Sequence, residues 1–153
     1  MLHVVLYEPE IPQNAGNIAR LCAAVGAELH LIEPLGFFLD DRQLRRAGLD
    51  YWQDVQVKSH RSWPDFLTAY PGSSRWYLTT KGRRSYADQP LAGEVHLVFG
   101  PESRGLPSDL LAAEPERCLR VPMRPGARSL NLANTVAIVV FEVLRQRGFP
   151  GLI

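Results

Sequence analysis

Residues Val95–Pro107 read VHLVFGPESRGLP. The apolar run Val95–Phe99 stops at Gly100 and Pro101, turns polar through Glu102, Ser103 and Arg104, and is re-aimed by Gly105 and Pro107. A buried strand that ends in a glycine- and charge-bearing loop is where open α/β sheets place their ligands, outside the carboxyl ends of the strands. A second segment, Pro122–Asn134 (PMRPGARSLNLAN), has the same density of turn and polar residues and opens a long apolar helix.

Outward from this centre, the pattern alternates strands and helices. His3–Tyr7 is an unbroken apolar strand, and Asn14 is expected to cap a helix carrying Ile18, Leu21, Cys22 and Val25 and closed by Gly26. Leu29–Ile32 is a second strand, Asp40 or Asp41 caps a short helix to Gly48, and Val55–Val57 is a third strand. Ser62 caps a helix over Trp63–Tyr70, Trp76–Thr79 is a fourth strand, and Lys81–Leu91 lacks periodicity and reads as loop. After the fifth strand, Val95–Phe99, Ser108 caps a helix through Ala113. Leu119–Val121 is a sixth strand, and Ser129 caps a last helix reaching about Arg147. This order predicts one domain over 1–153, a mostly parallel sheet with helices on both faces. The last helix is apolar on nearly every side, with Val136–Phe141 unbroken, so it must penetrate the fold or meet a second subunit.

Composition narrows the function. A chain of 153 residues, 46% hydrophobic, has a true core. Its formal net charge of +1 is too small for a nonspecific nucleic-acid binder, so any such contact must come from local clusters. Cys22 and Cys118 lie far apart in apolar surroundings and predict buried thiols. With no Cys/His cluster along the chain, neither a zinc site nor a disulfide framework is expected. No secretory signal precedes the first strand, and the longest apolar run is too short to span a bilayer. A cytoplasmic location without membrane attachment is therefore expected.

Gly-x-Gly-x-x-Gly, a P-loop and Gly-x-Ser-x-Gly are all absent. His3 and His96 sit inside strand runs and read as satisfied core histidines. Asn14 and Arg20 lie on the polar side of the first helix. They are either a cap and a solvated cation or a pair reaching toward phosphate or ribose. Three basic groups recur: Arg75, Lys81, Arg83 and Arg84 beside Trp76, Tyr77 and Tyr86; Arg42, Arg45 and Arg46; and Arg117, Arg120, Arg124 and Arg128. Cations beside aromatic rings suit single-stranded RNA. Asn131 and Asn134, on one face of an apolar helix, need a cap, a ligand or a cross-subunit bond.

At this point the motifs are recognisable. IPQNAGNIARLC at 11–22, RRAGLDYW at 45–52, LTTKG at 78–82, LVFGPESRGLP at 97–107 and RSLNLANTVAIVVFE at 128–142 resemble the ordered motifs of the SPOUT class of RNA 2′-O-methyltransferases. They are most similar to its compact members that act on nucleotide 34 of tRNA. Periodicity alone points to an unknotted sheet; the resemblance replaces this with an α/β fold whose C-terminal part threads a deep trefoil knot. It implies S-adenosylmethionine as cofactor, the tRNA anticodon stem-loop as partner, a homodimer formed through the last helix, and no metal. Leu78, Thr79, Gly100, Val121, Met123, Ser129 and Leu130 match cofactor positions, and Asn14, Arg20, Glu102, Ser129 and Asn131 match the polar reaction site.

Arginine is not deprotonated in proteins. Arg20 is therefore expected to orient ribose or phosphate and to stabilise developing negative charge, while Glu102 faces the chemistry. The same chemistry at another RNA position, or a non-catalytic RNA-binding factor, are the alternatives. Two departures from the common pattern, Ala133 for Ser and Phe141 for Tyr, each remove a hydroxyl.

Overall fold

The computed structural model describes residues 1–40, 42, 46 and 52–153. The short helix expected up to Gly48, Arg45 of the second basic group and most of the motif at 45–52 lie outside the described residues.

Seven parallel strands form one sheet: β1 (Leu2–Tyr7), β2 (Glu28–Ile32), β3 (Val57–His60), β4 (Arg75–Leu78), β5 (Arg84–Ser85), β6 (Val95–Phe99) and β7 (Cys118–Arg120). Their order across the sheet is β3-β2-β1-β6-β4-β7-β5. Four α-helices can be given bounds: α1 (Pro12–Val25), α2 (Trp63–Ala69), α3 (Ser108–Ala113) and α4 (Leu132–Gln146).

Successive side chains of a strand point to opposite faces, and β1 shows both. Val4 and Leu6 join Ile18, Ala19 and Cys22 of α1 and Val136, Val139, Val140 and Val143 of α4. Val5 joins Phe66 of α2 and Leu111 of α3 on the other side. Both faces are therefore buried under helices, as the unalternating sequence of β1 and β6 requires.

Several boundaries differ from the sequence reading, each for a local reason. Helix α1 starts earlier than expected: Ile11 is its cap, Pro12 fills the first helical position, and Asn14 lies inside the first turn. Helix α3 likewise begins at Ser108 with Pro107 as its cap, and α4 is capped by Asn131 rather than Ser129. Ser62 does cap α2, its hydroxyl accepting from Asp65 N at 3.2 Å. The expected loop at 81–91 contains β5 and a 3₁₀ turn, Tyr86–Asp88, because two residues of strand carry no periodicity. The third strand lies at Val57–His60 rather than Val55–Val57.

The position of β7 gives the fold its topology. It lies between β4 and β5, which are close neighbours in sequence. Residues 79–83 cross over its end, and Gly82 sits so close that a Cβ there would meet Leu119 C at 2.7 Å. The end of α4 is then tied to the segment leading back to β6. Leu91 N donates to Gln146 Oε1 at 2.8 Å, Gln146 Nε2 donates to Gln89 O at 3.0 Å, and Arg147 donates to Gly93 O.

Helix α4 is sunk to half its circumference, not all of it. Ile138 and Phe141 remain 37% and 47% exposed, with Phe149 beside Phe141 at 6.4 Å between ring centroids. Phe141, the position that departs from the common Tyr, is thus a surface residue.

The histidines also depart from expectation. His3 Nδ1 lies 3.0 Å from His30 Nε2, and His3 Nε2 lies 2.8 Å from Glu94 Oε1. His96 is 1% exposed and neither of its ring nitrogens has a partner. His3 is a satisfied core histidine and His96 is not, although a buried unpaired polar group costs about 1–3 kcal/mol. Burial holds His96 down to about 4 and His30 to about 2, and both stay neutral at ordinary pH.

Candidate active site

The cleft opens where β4, β6 and β7 end. After Phe99 the chain folds back on itself: Gly105 N donates to Pro101 O at 2.9 Å, and Gly105 adopts a φ of +68°. A Cβ on Gly100 would lie 2.4 Å from both Gly105 C and Leu106 N. Only glycine fits there, and the reason lies in the loop's own turn. The second wall, 121–131, turns at Gly126, with Ala127 N donating to Arg124 O at 3.1 Å.

Between the walls lies a cleft of about 560 Å³, within the range that holds a small cofactor. The structure brings together all seven residues matched to the cofactor: Leu78 and Thr79 after β4, Gly100 after β6, Val121 and Met123 after β7, and Ser129 and Leu130 before α4. Asn14, Glu102 and Asn131 line it as well. Arg20 does not. It is exposed on α1, six residues beyond Asn14, and lies outside the cleft lining. Sequence reasoning missed Ile11, Leu106 and Thr135 as lining residues. Ile11 and Thr135 stand one turn from Asn14 and Asn131, and that spacing was the available signal.

One hydrogen-bond ladder joins the walls. Glu102 Oε1 accepts from Glu10 N at 3.0 Å, and its Oε2 accepts from Ile11 N at 2.6 Å and Asn14 Nδ2 at 3.3 Å. Asn14 Oδ1 accepts from Asn131 Nδ2 at 3.1 Å, and Asn131 Oδ1 accepts from Asn134 N at 3.2 Å. In return, Ser103 donates to Glu10 through its amide at 2.9 Å and its hydroxyl at 2.7 Å, which lowers the Glu10 carboxyl below its usual range. Glu102 therefore sits at the N-terminus of α1 with both side-chain oxygens engaged by backbone and amide donors. Its oxygens are engaged in shaping the cleft that it lines.

Asn131 holds two jobs in that ladder. Asn131→Ala is expected to lower stability by about 1 kcal/mol through the lost cap, read as a fall in the unfolding midpoint, and to leave the Asn14 side chain held by Glu102 alone.

The aromatic part of the basic patches also needs correction. Tyr77 is 2% exposed and donates to Glu114, so it cannot stack on a base. Trp76 lies under the Arg117 guanidinium at 4.7 Å, and Tyr86 packs on the core. The cations fare better: Lys81 and Arg128 line the cleft, and Arg83 and Arg84 line an adjoining one of about 630 Å³.

A parallel sheet with β7 inserted between β4 and β5, and a cleft built by the loops around that insertion, define an α/β-knot domain with a small-molecule site. The model of the SpoU rRNA Methylase family matches residues 1–141, and the chain belongs to that family. It is 54% identical over 154 residues to the tRNA (cytidine(34)-2′-O)-methyltransferase of Burkholderia cenocepacia (strain HI2424), covering 99% of each chain. A solved structure described as "Structural insights into the 2-OH methylation of C/U34 on tRNA" matches with a TM-score of 0.92 and 48% identity, over 97% of each chain. An AdoMet-bound rRNA methyltransferase from Sinorhizobium meliloti matches with a TM-score of 0.84 and 26% identity, over 94% of this chain and 56% of that one. The fold class expected above, a parallel α/β sheet with a C-terminal knot, holds.

Proposed function

We propose that the chain transfers the methyl group of S-adenosylmethionine to the 2′-hydroxyl of nucleotide 34, a cytidine or modified uridine, in the anticodon stem-loop of tRNA. The carrying observation is that the seven positions expected to hold the cofactor, scattered from 78 to 130, converge on one cleft beside Asn14 and Asn131. The residues fit the group. Leu78, Val121, Met123 and Leu130 offer apolar surface for an adenine ring, Thr79 and Ser129 offer hydroxyls, and Gly100 leaves the backbone bare. When bound, the cofactor supplies an electrophilic methyl group. The chain's own part is to orient the ribose and exclude water.

The Asn14–Asn131 pair is fixed by Glu102 on one side and the α4 backbone on the other. It presents amide groups at the cleft wall without cost of reorganisation. Lys81 and Arg128 at the cleft edge suit the phosphates flanking the target ribose. Mapping the methylated nucleotide by nuclease digestion and mass spectrometry, after incubation of tRNA with labelled S-adenosylmethionine, tests the reading. Label in nucleotide 34 is expected, and label elsewhere or none defeats it.

Arg20 belongs to this reading as an RNA-facing group, since it is exposed beyond the cleft. Arg20→Ala is expected to leave cofactor affinity unchanged and to lower turnover on tRNA by about tenfold or more. Unchanged turnover would remove it from the mechanism.

A homodimer through α4 is part of the same proposal, supported by the apolar strip of Ile138, Phe141 and Phe149. Two copies would bring two sets of basic residues to one stem-loop, which offsets a net charge of only +1. Ile138→Asp is expected to yield a monomer by sedimentation that binds tRNA at least tenfold more weakly. Cytoplasmic location is likewise proposed, in keeping with the free thiols of Cys22 and Cys118.

A further inference from the structure

At the end of the sheet opposite the cleft, three adjacent strands each place a histidine on the face covered by α2. His30 of β2, His3 of β1 and His96 of β6 are all at most 3% exposed. His3 stands directly across from His96 in the strand register, and Glu28 stands directly across from His3 on the other side. One ring nitrogen from each histidine lies within 4.8 Å of the other two. We propose that His3, His30 and His96, with the Glu28 carboxylate, form a binding site for a divalent transition-metal ion of the zinc type.

Distances support this donor set. Zinc–nitrogen bonds of about 2.0–2.1 Å in a tetrahedron place neighbouring ligand atoms about 3.3 Å apart. His3 Nδ1 and His30 Nε2 are 3.0 Å apart, Glu28 Oε1 is 3.4 Å from His30 Nε2, and Glu28 Oε2 is 3.9 Å from His3 Nδ1. Three imidazoles and one carboxylate are the borderline donors that zinc takes in preference to magnesium or calcium.

The outer nitrogen of His3 is held as metal-bound imidazoles hold theirs. Glu94 Oε1 accepts from His3 Nε2, which leaves the lone pair on Nδ1, the atom that faces the site. His30 Nδ1 lies 3.0 Å from His60 Nε2, so a tautomer shift along that pair frees His30 Nε2 for a metal without any net ionisation. His96 is the independent pointer. Both its nitrogens are buried and unpartnered, and its ring stacks on His3 at 4.0 Å between centroids with 3° between planes. One of its nitrogens already lies within 4.8 Å of the other two ligand atoms, and the ring must leave the stack for the three to share one ion. Glu28 and Glu94 offset the two charges of the ion; Glu28 now accepts from Lys58 at 2.6 Å and Tyr70 at 3.3 Å, and half-exposed Lys58, which also donates to Tyr70 at 2.9 Å, would give way to the ion.

The ion would clamp β2, β1 and β6 together far from the reaction, so methyl transfer is not the readout. Purified full-length protein, stripped with a chelator and dialysed, is titrated with Zn²⁺ alone and in parallel with Co²⁺. About one equivalent per chain is expected, with a rise in Tm of several degrees and the intense visible bands of four-coordinate Co²⁺. His96→Phe keeps the stack and removes the unpartnered nitrogens; it is expected to fold and to lose Zn²⁺ binding. Glu28→Gln is expected to weaken binding about tenfold or more. Failure of the wild-type chain to bind micromolar Zn²⁺ overturns the proposal, as does equal uptake by a folded His96→Phe variant.

Discussion

Gly100→Ala is expected to abolish cofactor binding and to destabilise the protein by about 3 kcal/mol or more. The added methyl would meet Gly105 C and Leu106 N at 2.4 Å and Gly105 Cα at 2.8 Å. Overpacking in a core usually costs about 1–3 kcal/mol because side chains can shift, whereas all three atoms here are backbone. Relief requires the turn at 101–105 to open, and that turn is one wall of the cleft. The loss of binding should exceed about 100-fold, equivalent to roughly 2.8 kcal/mol, by calorimetric titration with S-adenosylmethionine. Chemical denaturation reports the stability arm. A folded Gly100→Ala chain that binds the cofactor normally would show that the wall can be rebuilt, and that Gly100 is not required by geometry.

Glu102→Ala is expected to cost about 2–3 kcal/mol, because hydrogen bonds to a charged group contribute about 1.5–3 kcal/mol each and some donors will turn to water. Three donors lose their acceptor at once: Glu10 N, Ile11 N and Asn14 Nδ2. Turnover should fall about 100-fold, the usual consequence of a displacement near 1 Å at a reacting centre, with Asn14 as the displaced group. Glu102→Gln separates positioning from proton transfer. A positioning Glu102 predicts that Gln, whose amide faces backbone N–H groups, loses stability as well as rate while its residual activity keeps the wild-type pH profile. If Glu102 took the proton, Gln would eliminate turnover at wild-type stability. Slowed amide exchange over residues 10–14 in the wild type, and not in the variants, would complete the case.

How far the sequence carried this depends on the kind of signal. β1 and β6 were legible because strands buried on both faces show as unbroken apolar runs, and both lie within one residue of the expected bounds. β5 was illegible because Arg84 and Ser85 are held by pairing with β7, a tertiary cause with no local trace. Caps misled where a proline came before the polar residue: Pro12 and Pro107 set the helix starts, and Asn14 and Ser108 fell inside. At the cleft, the residues named by motif resemblance, Arg20 excepted, lie along one lining, yet the direction of Glu102 depended on where Glu10 and Ile11 come to rest. The His96 anomaly could not be seen at all. His3, His30 and His96 lie on different strands, and no spacing along the chain announces that they meet.

Strand β7 has a bearing on how the molecule is made. A chain leaving the ribosome exposes residues 84–85 long before 118–120, so β5 waits at the sheet's margin for a neighbour that has not yet emerged. Residues 78–81 and 99–106 likewise await 121–135 before they enclose anything. Binding competence thus requires residues 121–135 to have been made. A nascent or nicked chain that stops before Cys118 is expected to hold much of the sheet and none of the cleft.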